Sequence, residues 1–148
     1  MKEQVQYLDS SALAKRYVQE EGSAGMDQIF GRAERGEEPI FFSMWNVGEL
    51  AVVFDKYEQD GLLEAKPTMK IFLEEVKRLG RSKAAEVVPV SGSLIAEAVG
   101  LTLKHHVYVA DALQVVSCQT IAGSGFVTAD RRLAVVAEDE GLKVNFVD

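Results

Sequence analysis

Four carboxylates in this chain break into apolar surroundings. Asp9 ends the run Val5-Gln6-Tyr7-Leu8, and Glu49 lies among Val47, Leu50, Ala51, Val52, Val53 and Phe54. Asp111 falls near the start of the apolar stretch from Tyr108 to Ile121, and Asp130 follows Phe126-Val127-Thr128. A carboxylate in such company carries a large desolvation cost unless something compensates it. Taken singly, Asp9 and Asp130 can cap the helices that follow them, while Glu49 and Asp111 can each pair with an internal basic side chain. Taken together, one metal site accounts for all four. Carboxylate oxygens are hard ligands suited to Mg2+ or Mn2+. Such an ion orients a scissile phosphate, lowers the pKa of an attacking water and neutralises charge on the leaving oxygen. The remaining acids, such as Glu20-Glu21, Glu37-Glu38, Glu74-Glu75 and Glu138-Asp139-Glu140, stand in polar company and read as solvated faces.

Other constellations are weaker. His105 and His106 are adjacent and point to different sides of any regular element, and no Cys or His lies at a zinc-ligand spacing. Neither a phosphate-binding G-x-x-x-x-G-K-[ST] loop nor G-x-S-x-G occurs, and Cys118 reads as a small core residue. Trp45, with Phe41 and Phe42, is expected to pack in the core rather than to stack on bases. Lys15-Arg16 and Arg131-Arg132 follow two of the four acids closely; ordinary surface charge is the simpler reading, and phosphate guidance is the alternative.

The elements that must position these residues follow from pattern. Val5 to Leu8 reads as a strand, and Asp9-Ser10-Ser11 supplies capping side chains for a helix through about Tyr17. A second helix spans about Ser23 to Arg35, and Gly36 with Pro39 precedes the strand Ile40 to Phe42. The segment Trp45 to Tyr57 is apolar on nearly every side and predicts a largely buried helix. Pro67 to Leu79 is amphipathic, with Met69, Phe72, Leu73 and Val76 inward. Val87-Val88 is a brief strand, and Ser91 caps a helix carrying Leu94, Ile95, Ala98 and Leu101. A further helix covers Tyr108 to Ile121, a strand Phe126 to Thr128, a helix the stretch to Gly141, and a strand Val144 to Val147. Strands regularly separated by helices predict an α/β fold with a mostly parallel central sheet flanked by helices. Ligands of open α/β sheets bind outside the carboxyl ends of strands, which brings Asp9 and Asp130 toward one crevice.

The 148 residues match the usual size of one domain, and no repeat, low-complexity tract or linker divides residues 1–148. One cysteine permits no internal disulfide, and neither a signal peptide nor a long uncharged apolar run is seen, so a cytoplasmic protein without a membrane role is expected. Sixteen basic against 23 acidic residues give a net charge of −7, which disfavours indiscriminate attraction to nucleic-acid phosphates. A nucleic-acid role must therefore use local chemistry. A cation held by carboxylates reverses the local field and lets an acidic cleft accept a phosphodiester.

The segments Tyr7-Leu8-Asp9-Ser10-Ser11-Ala12-Leu13, Val47-Gly48-Glu49-Leu50, Val109-Ala110-Asp111-Ala112-Leu113 and Phe126-Val127-Thr128-Ala129-Asp130-Arg131-Arg132-Leu133 resemble the motifs of PIN-domain ribonucleases, in that family's order. Lys15-Arg16-Tyr17 and Glu20-Glu21-Gly22-Ser23 add a likeness to the VapC-type toxins of toxin–antitoxin pairs. The resemblance covers essentially the whole chain. It implies a single PIN-like nuclease domain in which Asp9, Glu49, Asp111 and Asp130 form an acidic quartet, with Ser10 and Thr128 as supporting polar groups. It also implies Mg2+ or Mn2+ as cofactor, RNA as substrate, a small antitoxin as partner, and a homodimer. The main rival is a non-catalytic PIN-like interaction module whose acidic cleft receives a basic partner segment, which metal dependence separates from the nuclease. A phosphate-transfer enzyme or receiver domain also places an acid after the first strand. Asp9, however, is followed by Ser10-Ser11 and lacks the nearby second acid of a D-x-D phosphatase.

Overall fold

Five short strands, β1 (Val5–Leu8), β2 (Ile40–Ser43), β3 (Ala85–Val88), β4 (Ser124–Thr128) and β5 (Lys143–Phe146), pair in parallel in the order β3-β2-β1-β4-β5. The computed structural model describes residues 4–148. Parallel neighbours cannot be joined by tight turns, so each crossover carries helix. α1 (Ser10–Ala14) and α2 (Ser23–Glu34) follow β1, and α3 (Met44–Gln59) and α4 (Ala65–Arg81) follow β2. α5 (Gly92–His105) and α6 (Val109–Gln119) follow β3, and α7 (Arg131–Asp139) joins β4 to β5. The α/β class and the parallel sheet are as the sequence predicts.

Side chains alternate across a strand, and this alternation divides the core into two layers. Leu8, Ile40 and Phe42 point to the layer closed by Leu13, Phe30, Leu50, Phe54 and Phe72 of α1 to α4. Tyr7 and Phe126 point to the other, against Leu94, Val115 and Leu133 of α5 to α7; their rings stack at 5.8 Å. Cys118 is buried in this second layer, and burial pushes its thiol up to about 12. From β1 the sheet grows to β2 and β3 on one side and to β4 and β5 on the other. The switch therefore lies at β1, with Asp9 just past its carboxyl end and Asp130 past that of the neighbouring β4.

Four expectations differ from what folds. α1 stops at Ala14 rather than Tyr17, because the backbone tightens into turns in which Arg16 N bonds to Leu13 O and Tyr17 N to Ala14 O. The turn delivers the Tyr17 ring edge-on to Phe54 and Phe72, at 6.1 and 5.3 Å. α3 is not buried all round: Asn46, Leu50 and Phe54 form its buried stripe, and Val52 is 71% exposed. A helix lying on a sheet has one side for the core, and α4 covers only part of the rest. Trp45 falls outside that stripe and is half-exposed, while Phe42 is buried. On α4 and α5, Leu73 and Ile95 turn outward, where Phe72, Leu79, Leu94 and Ala98 take the inner positions. Gly22 opens α2 at φ 90°, and a Cβ there would meet the Lys15 side chain at 2.9 Å and the Asp148 backbone at 3.2 Å. Among the described residues no helix is long and apolar enough to cross a membrane.

Candidate metal centre

Asp9, Glu49, Asp111 and Asp130 line one cavity of about 340 Å³ together with Ser10 and Gln114. Each acid arrives by a different route. Asp9 leaves β1 with its N–H bonded to Val127 O of β4 and caps α1, its Oδ1 accepting from Ala12 N at 2.9 Å and from the Ser11 hydroxyl at 2.8 Å. Its Oδ2 accepts from the Thr128 hydroxyl at 2.5 Å. Asp130 caps α7 through Oδ1, which accepts from Arg132 N at 3.0 Å and Leu133 N at 3.2 Å. Its own N–H donates to Thr128 Oγ1 at 3.0 Å. The two strand-end acids thus cap helices and line the cavity at once, so these readings do not exclude one another.

Glu49 and Asp111 have no basic partner in an ion pair among the described residues. Instead, the Ser10 hydroxyl donates to Glu49 Oε1 at 2.7 Å, and Gln114 Nε2 approaches the same oxygen at 3.4 Å. Tyr7 orients Gln114 by donating to its Oε1 at 2.7 Å. Asp111 stands in the first turn of α6. Ser10 and Thr128, read as supporting groups, therefore lie against Glu49 and Asp9 respectively.

The electrostatics link the four acids in a chain. Burial pushes the Asp9 carboxyl up to about 6, against the hydrogen bonds from Thr128, Ala12 and Ser11, and the charge of Asp130 adds to the rise. Asp111 is raised by burial and by Asp130, with Arg132 opposing. Glu49 is raised by burial, opposed by Ser10 and reinforced by Asp111. Like charges held together in a desolvated cavity call for a cation. The donors are carboxylate and hydroxyl oxygens, which suits a hard dication. No three His, Cys, Asp or Glu side chains among the described residues close into a ready-made cage. Carboxylates facing one another across a cavity fit an ion that keeps part of its water shell, as Mg2+ does.

Sequence reading missed Gln114, Ser11, Tyr7 and Asn46 as site components. Gln114 has a readable signal, a polar residue one helical turn after Asp111 set among Ala112, Leu113, Val115 and Val116. Asn46 donates from Nδ2 to Leu8 O at 3.0 Å and so fixes α3 against the strand that carries Asp9. Nothing in its local sequence marks that contact, because the partner is a backbone carbonyl 38 residues away.

Thr128 provides a direct test of how Asp9 is held. Thr128→Val removes the donor to Oδ2, and the Asp9 carboxyl should then titrate above about 6, as followed by carbon-13 NMR. Losing a hydrogen bond to a charged group should cost about 2 kcal/mol at pH 7 and less at pH 4, where Asp9 is protonated. An unchanged titration midpoint would contradict this account of the site.

Comparison with known proteins places the chain among relatives. The sequence model described as PIN domain matches residues 7–139. No curated protein matches the sequence significantly. Three of the solved structures that share the fold illustrate the likeness. The protein PAE2754 from Pyrobaculum aerophilum is 18% identical, with a TM-score of 0.63 over 95% of this chain and 83% of that one. VapBC2 from Rickettsia felis, bound to a DNA fragment from its promoter, is 15% identical, with a TM-score of 0.64 over 97% and 99%. A domain of a functionally unknown protein from Methanocaldococcus jannaschii is 15% identical, with a TM-score of 0.53 over 99% and 92%. At these identities the likeness is one of fold.

Proposed function

This chain belongs to the PIN domain family, and from that premise we propose that it is a divalent-metal-dependent ribonuclease hydrolysing RNA phosphodiester bonds, the toxin of a toxin–antitoxin pair. One observation carries the reading: four carboxylates share one cavity at the carboxyl ends of adjacent parallel strands, in electrostatic contact and without a paired cation. Asp9 and Asp111 are the preferred direct ligands of Mg2+ or Mn2+, and Asp130 serves the same or a second ion. When bound, the metal orients the scissile phosphate, acidifies the attacking water and neutralises the leaving oxygen. The chain's own residues prepare that chemistry. Thr128 and Ser11 hold Asp9 in one rotamer, as the hydrogen bonds above describe. Ser10 and Gln114 engage Oε1 of Glu49, and Oε2 accepts no hydrogen bond among the described residues, which suits it to position a water or to join the ligand set.

Residues 1–148 act in this proposal as one cytoplasmic nuclease domain. The partner is a small antitoxin that covers the domain and sets a basic side chain among the four acids. The apolar groove between α3 and α4, lined by Met44, Val47, Met69, Leu73 and Val76, offers such a partner a second hold. A two-fold dimer finds a surface on α5, where Ile95, Val99 and Leu103 recur every fourth residue and are exposed. At a net charge of −7, copies approach best through an uncharged face.

Purified protein incubated with a mixed RNA substrate, with and without Mn2+ or Mg2+, tests the enzyme. Cleavage should require the ion and disappear with chelator. Ion-independent binding of a basic peptide with no cleavage would instead favour the non-catalytic module. Expression alone and together with the neighbouring small protein tests the pairing. Growth arrest relieved by the neighbour is expected, and harmless expression of an active nuclease would leave a PIN-type processing enzyme.

A further inference from the structure

Four cations follow the acids in sequence, and the fold treats them differently. Lys15 donates to Glu21 O and faces Glu20 Oε1 at 3.6 Å. Arg16 is held by Glu75 at 2.9 Å and Asp27 at 2.7 Å. Arg131 pairs with Asp148 at 3.3 Å and lies over the Phe146 ring at 4.7 Å. Arg132 alone of the four makes no ion pair among the described residues. Its Nη2 donates to a neutral acceptor, His106 O, at 2.8 Å, which steadies the guanidinium without a carboxylate in contact. Yet it stands at the edge of the site, since its backbone N–H donates to Asp130 Oδ1 at 3.0 Å, and Asp130 lines the cavity with Asp111.

The residue that holds Arg132 is itself unusual. His106 caps α5 in the left-handed region at φ 59°, a conformation that side chains other than glycine seldom adopt, with its N–H bonded to Thr102 O at 2.8 Å. Val107 is then buried, pinning the chain, and Tyr108 emerges 82% exposed just before α6. Its carbonyl accepts from Asp111 N and Ala112 N, so the Tyr108 backbone is locked one turn ahead of Asp111 while its ring stands in solvent. A guanidinium with unused donors and an exposed ring on a fixed backbone thus stand beside the cavity acids.

We propose that Arg132 and Tyr108 form a grip for the substrate strand beside the acidic cavity, Arg132 taking a backbone phosphate and Tyr108 stacking on an unpaired base. The grip engages an unpaired stretch of that strand. This rests on the ribonuclease reading and adds to it two binding residues outside the quartet. A planar guanidinium presents parallel donors to a phosphate. An aromatic ring stacks on any base that duplex pairing has not hidden. In a chain of net charge −7, a cation not neutralised by a neighbouring carboxylate is the feature that draws a phosphate to this edge.

The test uses the full chain and a labelled 12-nucleotide single-stranded RNA, alone and annealed to its complement. Affinity is measured in Ca2+ across a salt series, and cleavage kinetics in Mn2+. Wild type should bind the single strand about 10-fold or more tightly than the duplex. Arg132→Ala should raise KM about 10-fold with kcat within about twofold, and should flatten the salt dependence by about 0.7 in log–log slope, the share of one phosphate contact on a single strand. Arg132→Lys, which keeps the charge without the fork, should fall between and serves if the alanine variant folds poorly. Tyr108→Ala should weaken binding about 10-fold or more with the salt slope unchanged, and Tyr108→Trp should restore it. If wild type cleaves RNA while both alanine variants match it in affinity and slope, the grip is wrong and the nuclease stands. If Tyr108→Ala changes the oligomeric state by light scattering and leaves KM intact, Tyr108 belongs to a self-association face and the grip is overturned. Wild type that neither binds nor cleaves RNA would bring down the nuclease reading itself.

Discussion

Asp111→Asn should lower metal-dependent RNA cleavage by at least about a thousandfold while the protein stays folded, because the change removes a metal-binding charge and keeps the side chain's size. Asp9→Asn should do the same, though its folded state is more exposed to side effects. An amide at position 9 keeps an acceptor for only part of the set formed by Ala12 N, the Ser11 hydroxyl and the Thr128 hydroxyl. Asp111 has no hydrogen bond to lose through its side chain among those that order the site, so its variant is the cleaner probe. It also relieves repulsion, since Asp111 raises Glu49 and is itself raised by Asp130. The metal-free Asp111→Asn protein should therefore melt no lower than wild type at pH 7.5, and higher if repulsion outweighs local packing. Single-turnover cleavage after removal of contaminating nuclease, with melting followed by circular dichroism, reads both quantities. Undiminished metal-dependent activity in both variants would sink the proposed site.

Adding Mn2+ or Mg2+ at pH 7.5 should raise the melting temperature by about 5–10 °C. An ion at one hundred times its dissociation constant stabilises the native state by about 2.7 kcal/mol if it does not bind the unfolded chain. For a domain of this size each kcal/mol moves the midpoint by about 2–4 °C. The shift should depend on pH in a defined sense. The Asp9 carboxyl titrates at about 6 in the folded chain against an ordinary value of 3.8, mainly through burial. The native state therefore holds this proton more tightly than the unfolded state does. Without metal, the contribution of this group to stability is greatest below about pH 4 and is lost as pH rises through about 4 to 6, by up to about 3 kcal/mol. Glu49 and Asp111, raised for similar reasons, push the same way. Metal needs the ionised carboxylates, so its stabilising effect should be largest at pH 7.5 and shrink toward pH 5 as protons compete. Calcium should stabilise as well without supporting turnover. A melting temperature indifferent to divalent ions at every pH would refute the metal centre, and so would anomalous Mn2+ density confined to surface acids such as Glu74 or Glu138.

The sequence by itself determined the alternation of strands and helices, because the periods of two and 3.6 residues are written into local apolar patterns such as Val5 to Leu8 and Pro67 to Leu79. It also singled out Asp9, Glu49, Asp111 and Asp130, since a carboxylate in an apolar run is conspicuous whatever surrounds it in space. The caps were legible too: Asp9, Ser91 and Asp130 each accept from backbone N–H groups two or three residues ahead, a contact that local order alone dictates. Tertiary structure decided what local patterns cannot carry. Which side of α3 is buried depends on where α4 lies, so Trp45 and Val52 are exposed despite their apolar neighbours. The polar frame of the cavity joins residues far apart in the chain, Ser10 to Glu49 across 39 positions, Tyr7 to Gln114 across 107, and Thr128 to Asp9 across 119. The same holds for the cations: Lys15, Arg16, Arg131 and Arg132 look alike in sequence, and only packing neutralises three of them and leaves the fourth on the carbonyl of His106. A side chain's type is fixed by the sequence, but its field and its partners depend on distance in space, which folding alone sets.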